Sequence, residues 1–135
     1  MVKFNEIKAG NYVVVDNDGD QKRGEVIDLN GNEKQVCVDN GVQQFWYETD
    51  QLIPLEINDQ ELSNLKFHKE ILEKGTVKYS KGAFRMITPG ESDFSAMEIW
   101  YRDEKRHVMH PIHLHQLQNH FYEMTKVHLN DEVFD

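Results

Sequence analysis

The feature that most constrains this chain is tight-turn chemistry recurring between short β-forming runs. Tyr12-Val13-Val14-Val15 runs into Asp16-Asn17-Asp18-Gly19-Asp20, and Gly24-Glu25-Val26-Ile27-Asp28-Leu29 leads to Asn30-Gly31-Asn32. Val36 and Val38 are divided from Val42, Phe45 and Tyr47 by Asp39-Asn40-Gly41. Asn-Gly and Asp-Gly pairs adopt positive φ at low cost, so β-branched and aromatic runs bounded by them signal hairpins. Leu52-Ile53 adds a fifth strand to about four such runs. Five short antiparallel strands in about 55 residues are too few for a sandwich and enough for a small SH3-like barrel.

A helix start follows. Asn58 is placed to cap it, Glu61 falls at N3 to reach back to the cap, and Ile57 and Leu62 fall at the positions of a hydrophobic staple. The helix is expected to begin at Asp59 and to end before Gly75, with a break near Lys66 to His68. Strand signals then return over Thr76 to Ser80, Ala83 to Ile87, Phe94 to Tyr101 and Arg106 to Met109, a second antiparallel meander. Leu114, Leu117, Phe121 and Met124 follow a helical period after Pro111, and this stripe is expected to lie on the second sheet. The expected fold class is therefore α+β. Residues 1–56 form an SH3-like β-barrel lobe, and residues 57–135 form a lobe of linking helix, antiparallel sheet and C-terminal helix.

Six of the seven histidines lie between His107 and His128, which invites a metal site. A metal ion needs three or four ligands converging at about 2 Å, and a helix supplies them as pairs at i,i+3 or i,i+4. Within the expected helix no such pair exists. His113 and His120 face similarly but stand two turns apart, roughly 10 Å along the axis, and His115 points away from both. Only an extended segment would put His113 and His115 on one face, and Pro111 with the helical stripe opposes that. The simpler expectation is a set of surface and helix-end histidines that titrate between about pH 7.5 and 5.5.

Charge narrows the partners. The net charge is −9, and neither half of the chain is basic. Binding to nucleic acid rests largely on Lys and Arg neutralising phosphates, so direct DNA or RNA contact is not expected. The strongest local basic run, Lys105-Arg106-His107, reads as a charged hairpin turn. No apolar run approaches the roughly 20 residues of a bilayer span, so no membrane partner is expected. The polar start Met1-Val2-Lys3-Phe4-Asn5-Glu6 and the single Cys37 point to the cytoplasm.

Enzyme motifs are missing. Asp16 to Asp20 alternates acids like a calcium loop, but Gln21 and Ile27 stand where an EF-hand needs glycine and glutamate. Cys37 sits mid-strand between valines and reads as a small buried hydrophobe. There is no nucleophile elbow, phosphate loop or dinucleotide fingerprint. No catalytic residue, metal ligand or cofactor is assigned. Phe45, Trp46 and Tyr47 are candidate binding residues, since SH3-like barrels bind peptides on aromatic surfaces. His115, Gln116, Gln118 and Asn119 are the others. Of these, Gln118 flanks the apolar stripe and is expected to hydrogen-bond a backbone group of the neighbouring sheet or barrel.

Three segments carry a resemblance: Ile7-Lys8-Ala9-Gly10-Asn11-Tyr12-Val13, Leu52-Ile53-Pro54-Leu55 before the capped helix, and Leu114-His115-Gln116-Leu117-Gln118-Asn119 with Phe121-Tyr122. Together they resemble a large family of small uncharacterised proteins associated with phages and prophages of gut bacteria. The resemblance spans nearly the whole chain. It implies a mobile-element origin and no mechanism. Of the histidines, only His115 belongs to its recurring pattern. Lys126 stands where that pattern would end the helix on glycine. The expected function is a non-catalytic adaptor with an unidentified protein partner. The alternatives are a metal-dependent enzyme using His107–His120 and an accessory protein of nucleic-acid machinery.

Overall fold

A computed structural model describes residues 2–129. The described chain is α+β and mostly strand: two five-stranded antiparallel sheets and two α-helices. It divides into two compact units, residues 2–56 with 113–119 and residues 57–112 with 120–129.

In the first unit, β1 (Tyr12–Asn17), β2 (Asp20–Asn30), β3 (Gln35–Asp39), β4 (Gln44–Glu48) and β5 (Leu52–Pro54) pair in the order β4-β3-β2-β1-β5. Asp18 and Gly19 join β1 to β2 with φ of 52° and 90°, and the Gly19 N–H donates to the Asp16 carboxylate at 2.8 Å. The acids of this loop thus build a turn. Val13, Val15, Val26, Val36, Val38, Tyr47 and Leu52 alternate inward to form the core with Ile7. Mid-strand Gly24 is required by close approach: a Cβ there would lie 2.5 Å from a Val38 methyl and 2.9 Å from the Asp39 carbonyl oxygen. Strand pairing ends at β4 on one side and β5 on the other, so the sheet does not close on itself.

In the second unit, α1 (Asp59–Asn64) begins where the cap places it, with the Glu61 N–H donating to the Asn58 side chain at 2.9 Å. It is shorter than the expected span to Gly75. Lys66 at φ 71° ends it, with the Lys66 N–H donating to Ser63 O and the Phe67 N–H to Leu62 O, the bond pair of a Schellman motif. The residues beyond the break form a strand, β6 (His68–Ile71), which the continued helical reading had missed. The meander runs on through β7 (Val77–Lys81), β8 (Phe84–Thr88), β9 (Met97–Tyr101) and β10 (Glu104–Val108) in sequential order. Lys105-Arg106-His107 lies within β10; the turn before it is Arg102-Asp103.

The last helix, α2 (Leu114–Thr125), buries its whole stripe: Leu114, Leu117 and Phe121 at 0% exposure and Met124 at 7%. The stripe was expected to lie on the second sheet. Instead residues 113–119 group with the first unit, where the Leu114 N–H donates to Leu55 O at 2.8 Å. In the second unit Phe121 meets Phe84 edge-on, ring centroids 4.7 Å apart.

Candidate binding surface

The aromatic run Phe45-Trp46-Tyr47 lies on β4, an edge strand, and its three rings have different fates. Tyr47 points into the core at 3% exposure, and its hydroxyl accepts from the Asn17 amide at 3.1 Å. Phe45, on the same side of the strand, leans edge-on against Tyr47 at 6.4 Å but stays 47% exposed. Trp46, on the other side, is 46% exposed, and the preceding loop adds Val42 at 82%. An exposed pair of large rings beside an open sheet edge is the composition of a contact surface. Cys37, opposite Trp46 in the ladder, is buried. Burial, then the charges of Asp28 and Asp39, raises its pKa, so the thiol stays protonated and unreactive.

The second group of candidates turns inward. Gln118 accepts from the Tyr12 N–H at 2.8 Å and donates to Gly10 O at 3.0 Å, the expected backbone bonds. Asn119 donates to Glu6 O at 2.7 Å and accepts from the Asn11 amide at 3.0 Å. Gln116 accepts from the His113 N–H at 2.8 Å, closing the first turn of the helix. Gln118 and Asn119 clasp the chain from Glu6 to the first residue of β1, and satisfy backbone groups there. Segments 7–13, 52–55 and 114–119 therefore meet within one unit.

His115 is 1% exposed, which corrects the expectation of a surface histidine. Neither ring nitrogen has a hydrogen-bond partner, and the nearest carboxylate, Glu6, lies at 3.9 Å. Its ring stacks on His113 with centroids 6.1 Å apart. Burial, reinforced by His113 and opposed by Glu6, pushes its pKa down to about 4. In the second unit His120 is also shifted down, first by burial and then by Arg106, whose guanidinium lies 2.9 Å from its Nδ1. Among the described residues, no group of three or more His, Cys, Asp or Glu side chains is placed to hold a metal ion.

The basic run of β10 is neutralised internally, since Lys105 pairs with Glu98 at 3.1 Å and Arg106 with Glu123 at 2.8 Å and Glu104 at 3.1 Å. The second unit also has a pocket of about 270 Å³ lined by Ile87, Thr88, Met97, Glu98, His107 and Met109. Its one carboxylate, Glu98, pairs with Lys105 at 3.1 Å and lies directly opposite His107 in the β9–β10 ladder. No helix among the described residues is long and apolar enough to cross a membrane. The chain matches no family model, no curated protein and no solved structure.

Proposed function

We propose that this chain is a non-catalytic protein-binding module, an adaptor of phage or prophage origin acting in the cytoplasm, whose contact surface is the aromatic edge of β4. The observation that carries the reading is the exposure of Phe45 and Trp46, 47% and 46%, on an edge strand anchored by buried Tyr47. Rings left out of an available core cost free energy in water, and contact with a partner removes that cost. The first unit is taken as SH3-like. In support, eleven-residue β2 pairs with β1 through Glu25 and with β3 from Glu25 onward, bending at a bulge between Val26 and Asp28. A long bent strand shared by two faces is a way to build a small barrel. The proposed origin rests on segments 7–13, 52–55 and 114–119, and the compartment on the lone cysteine.

The test is capture of host proteins on immobilised protein, wild type beside Phe45→Ser/Trp46→Ser. Both rings are about half exposed, so the double variant should melt close to wild type while losing the captured partner. A partner retained by a folded double variant would refute the surface.

A further inference from the structure

We propose that the open edge of β4 accepts a basic, extended segment of a partner protein as a sixth strand of the first unit's sheet. The proposal rests on the reading of β4 as a binding surface and adds the backbone geometry and the charge of the partner.

The geometry comes from the ladder. The Asn40 N–H donates to Gln43 O at 3.1 Å across the β3–β4 turn. Antiparallel pairs alternate between bonded and non-bonded, so the pairs Val38↔Phe45 and Val36↔Tyr47 carry the remaining ladder bonds. Gln44, Trp46 and Glu48 therefore turn their peptide groups away from β3. The Glu48 N–H is taken by the Gln51 side chain at 3.0 Å. Gln44 and Trp46 thus present N–H and C=O groups to the open edge, spaced as an added strand requires.

This edge is treated unlike the others. Exposed edges are ordinarily blunted by Lys, Arg, Pro or bulges. Edge strand β5 ends on Pro54, β6 carries Lys69, and β10 carries Lys105 and Arg106. β4, Gln44-Phe45-Trp46-Tyr47-Glu48, has none of these and is paired with β3 without a register shift. A sheet protein that places cations or proline on three edges, and on the fourth two exposed rings with the single carboxylate of Glu48, has an edge available for pairing with a cationic strand.

Charge selects the occupant. β4 has Glu48 and no Lys or Arg, Asp39 lies opposite Gln44 on β3, Asp50 follows two residues after Glu48, and Lys34, which precedes the Gln35↔Glu48 pair, lies over the Phe4 ring. A second copy would bring an equally cation-free edge against this one, and an acidic strand would be repelled. A strand alternating basic and apolar residues fits both the carboxylates and the rings.

The test uses a fluorescein-labelled octapeptide alternating lysine and valine, titrated by anisotropy. It is compared with the same peptide N-methylated at every backbone amide, and with a glutamate–valine peptide. Trp46→Ala and Trp46→Pro variants separate the indole from the outward N–H, and proline there removes no ladder bond. The lysine–valine peptide should bind, and the other two should bind more weakly by about tenfold. Trp46→Pro should bind the lysine–valine peptide more weakly than Trp46→Ala by a similar factor. Should Trp46→Pro fail to fold, the N-methylated peptide still decides. Equal binding of the N-methylated peptide would overturn strand addition while leaving the aromatic surface standing. No binding of the lysine–valine peptide, or a dimer in sedimentation that Trp46→Pro dissolves, would overturn the basic partner.

Discussion

At the residue scale, His115 and Gln118 show how one helix face can hold polar groups that serve structure. His115 is buried neutral with both ring nitrogens unpaired. Its pKa in the fold, about 4, lies below its ordinary 6.5. In that interval the unfolded chain binds a proton that the folded state refuses, so stability rises with pH across it and is lost as pH falls from about 6.5 to about 4. The loss from this one group is on the order of 3 kcal/mol. Glu6 at 3.9 Å and His113 stacked on the ring are the titratable groups facing it. Urea denaturation from pH 7.5 to 4 should show this slope, and His115→Leu should flatten it; an unchanged slope in the variant would remove the assignment. Gln118 offers a sharper chemical test. Gln118→Glu keeps an acceptor for the Tyr12 N–H but sets a carboxylate against Gly10 O, where an amide now donates at 3.0 Å. The expected cost is about 1–3 kcal/mol at neutral pH, and equal stability of variant and wild type would show the clasp to be dispensable. The identity of Gln118 as a backbone partner was legible, because an amide flanking an apolar stripe must find bonds. The burial of His115 was not, because its 1% exposure follows from tertiary packing, which brings it within 3.9 Å of Glu6 at the other end of the chain.

At the scale of elements, both helices stop on a lysine in the left-handed region: Lys66 at φ 71° after α1 and Lys126 at φ 63° after α2. The Lys126 N–H closes on Tyr122 O at 2.8 Å, so the conformation is held by backbone bonds that glycine would keep. Left-handed backbone costs a residue with a Cβ about 1–2 kcal/mol, offset in part by the greater freedom of glycine when unfolded. Lys66→Gly and Lys126→Gly should each raise stability by about 0.5–1 kcal/mol. Thermal melts in which both variants fall below wild type would contradict this account of the helix ends. The missed strand has a separate reason. Asp59 to Asn64 announces a helix through its cap and a break is legible near Lys66 to His68, but nothing in His68-Lys69-Glu70-Ile71 announces a strand after it, since lysine and glutamate are good helix formers. The hairpins were easier to read, because Asp18-Gly19 and Asn40-Gly41 declare their turns locally.

At the scale of the whole molecule, the acid response of the net charge is smaller than the histidine count implies. Protonating all seven histidines would bring −9 to −2, but the fold shifts His115 and His120 downward. With His115 still neutral at pH 5.5, at most six protons add, and −9 becomes −3 at the most. Self-repulsion therefore persists at pH 5.5. Solubility should fall less between about pH 7.5 and 5.5 than seven titrating histidines would make it, and a His115→Asn variant should follow the same curve as wild type in that window. A sharp precipitation of wild type alone would show that the His115 ring titrates there. What the sequence by itself determined is whatever depends on neighbours along the chain: the hairpin turns, the cap at Asn58, the period of the last helix and the acidity of residues 35–56. These follow from local sterics and composition, which act whatever the rest of the chain does. Tertiary structure decided which groups lose water and which stay exposed. It buried His115, spent Gln118 and Asn119 on the chain from Glu6 to the first residue of β1, and left Phe45 and Trp46 on an edge with only one neighbouring strand. Burial and strand neighbours are set by contacts between distant segments, and those exist only once the sheets have formed.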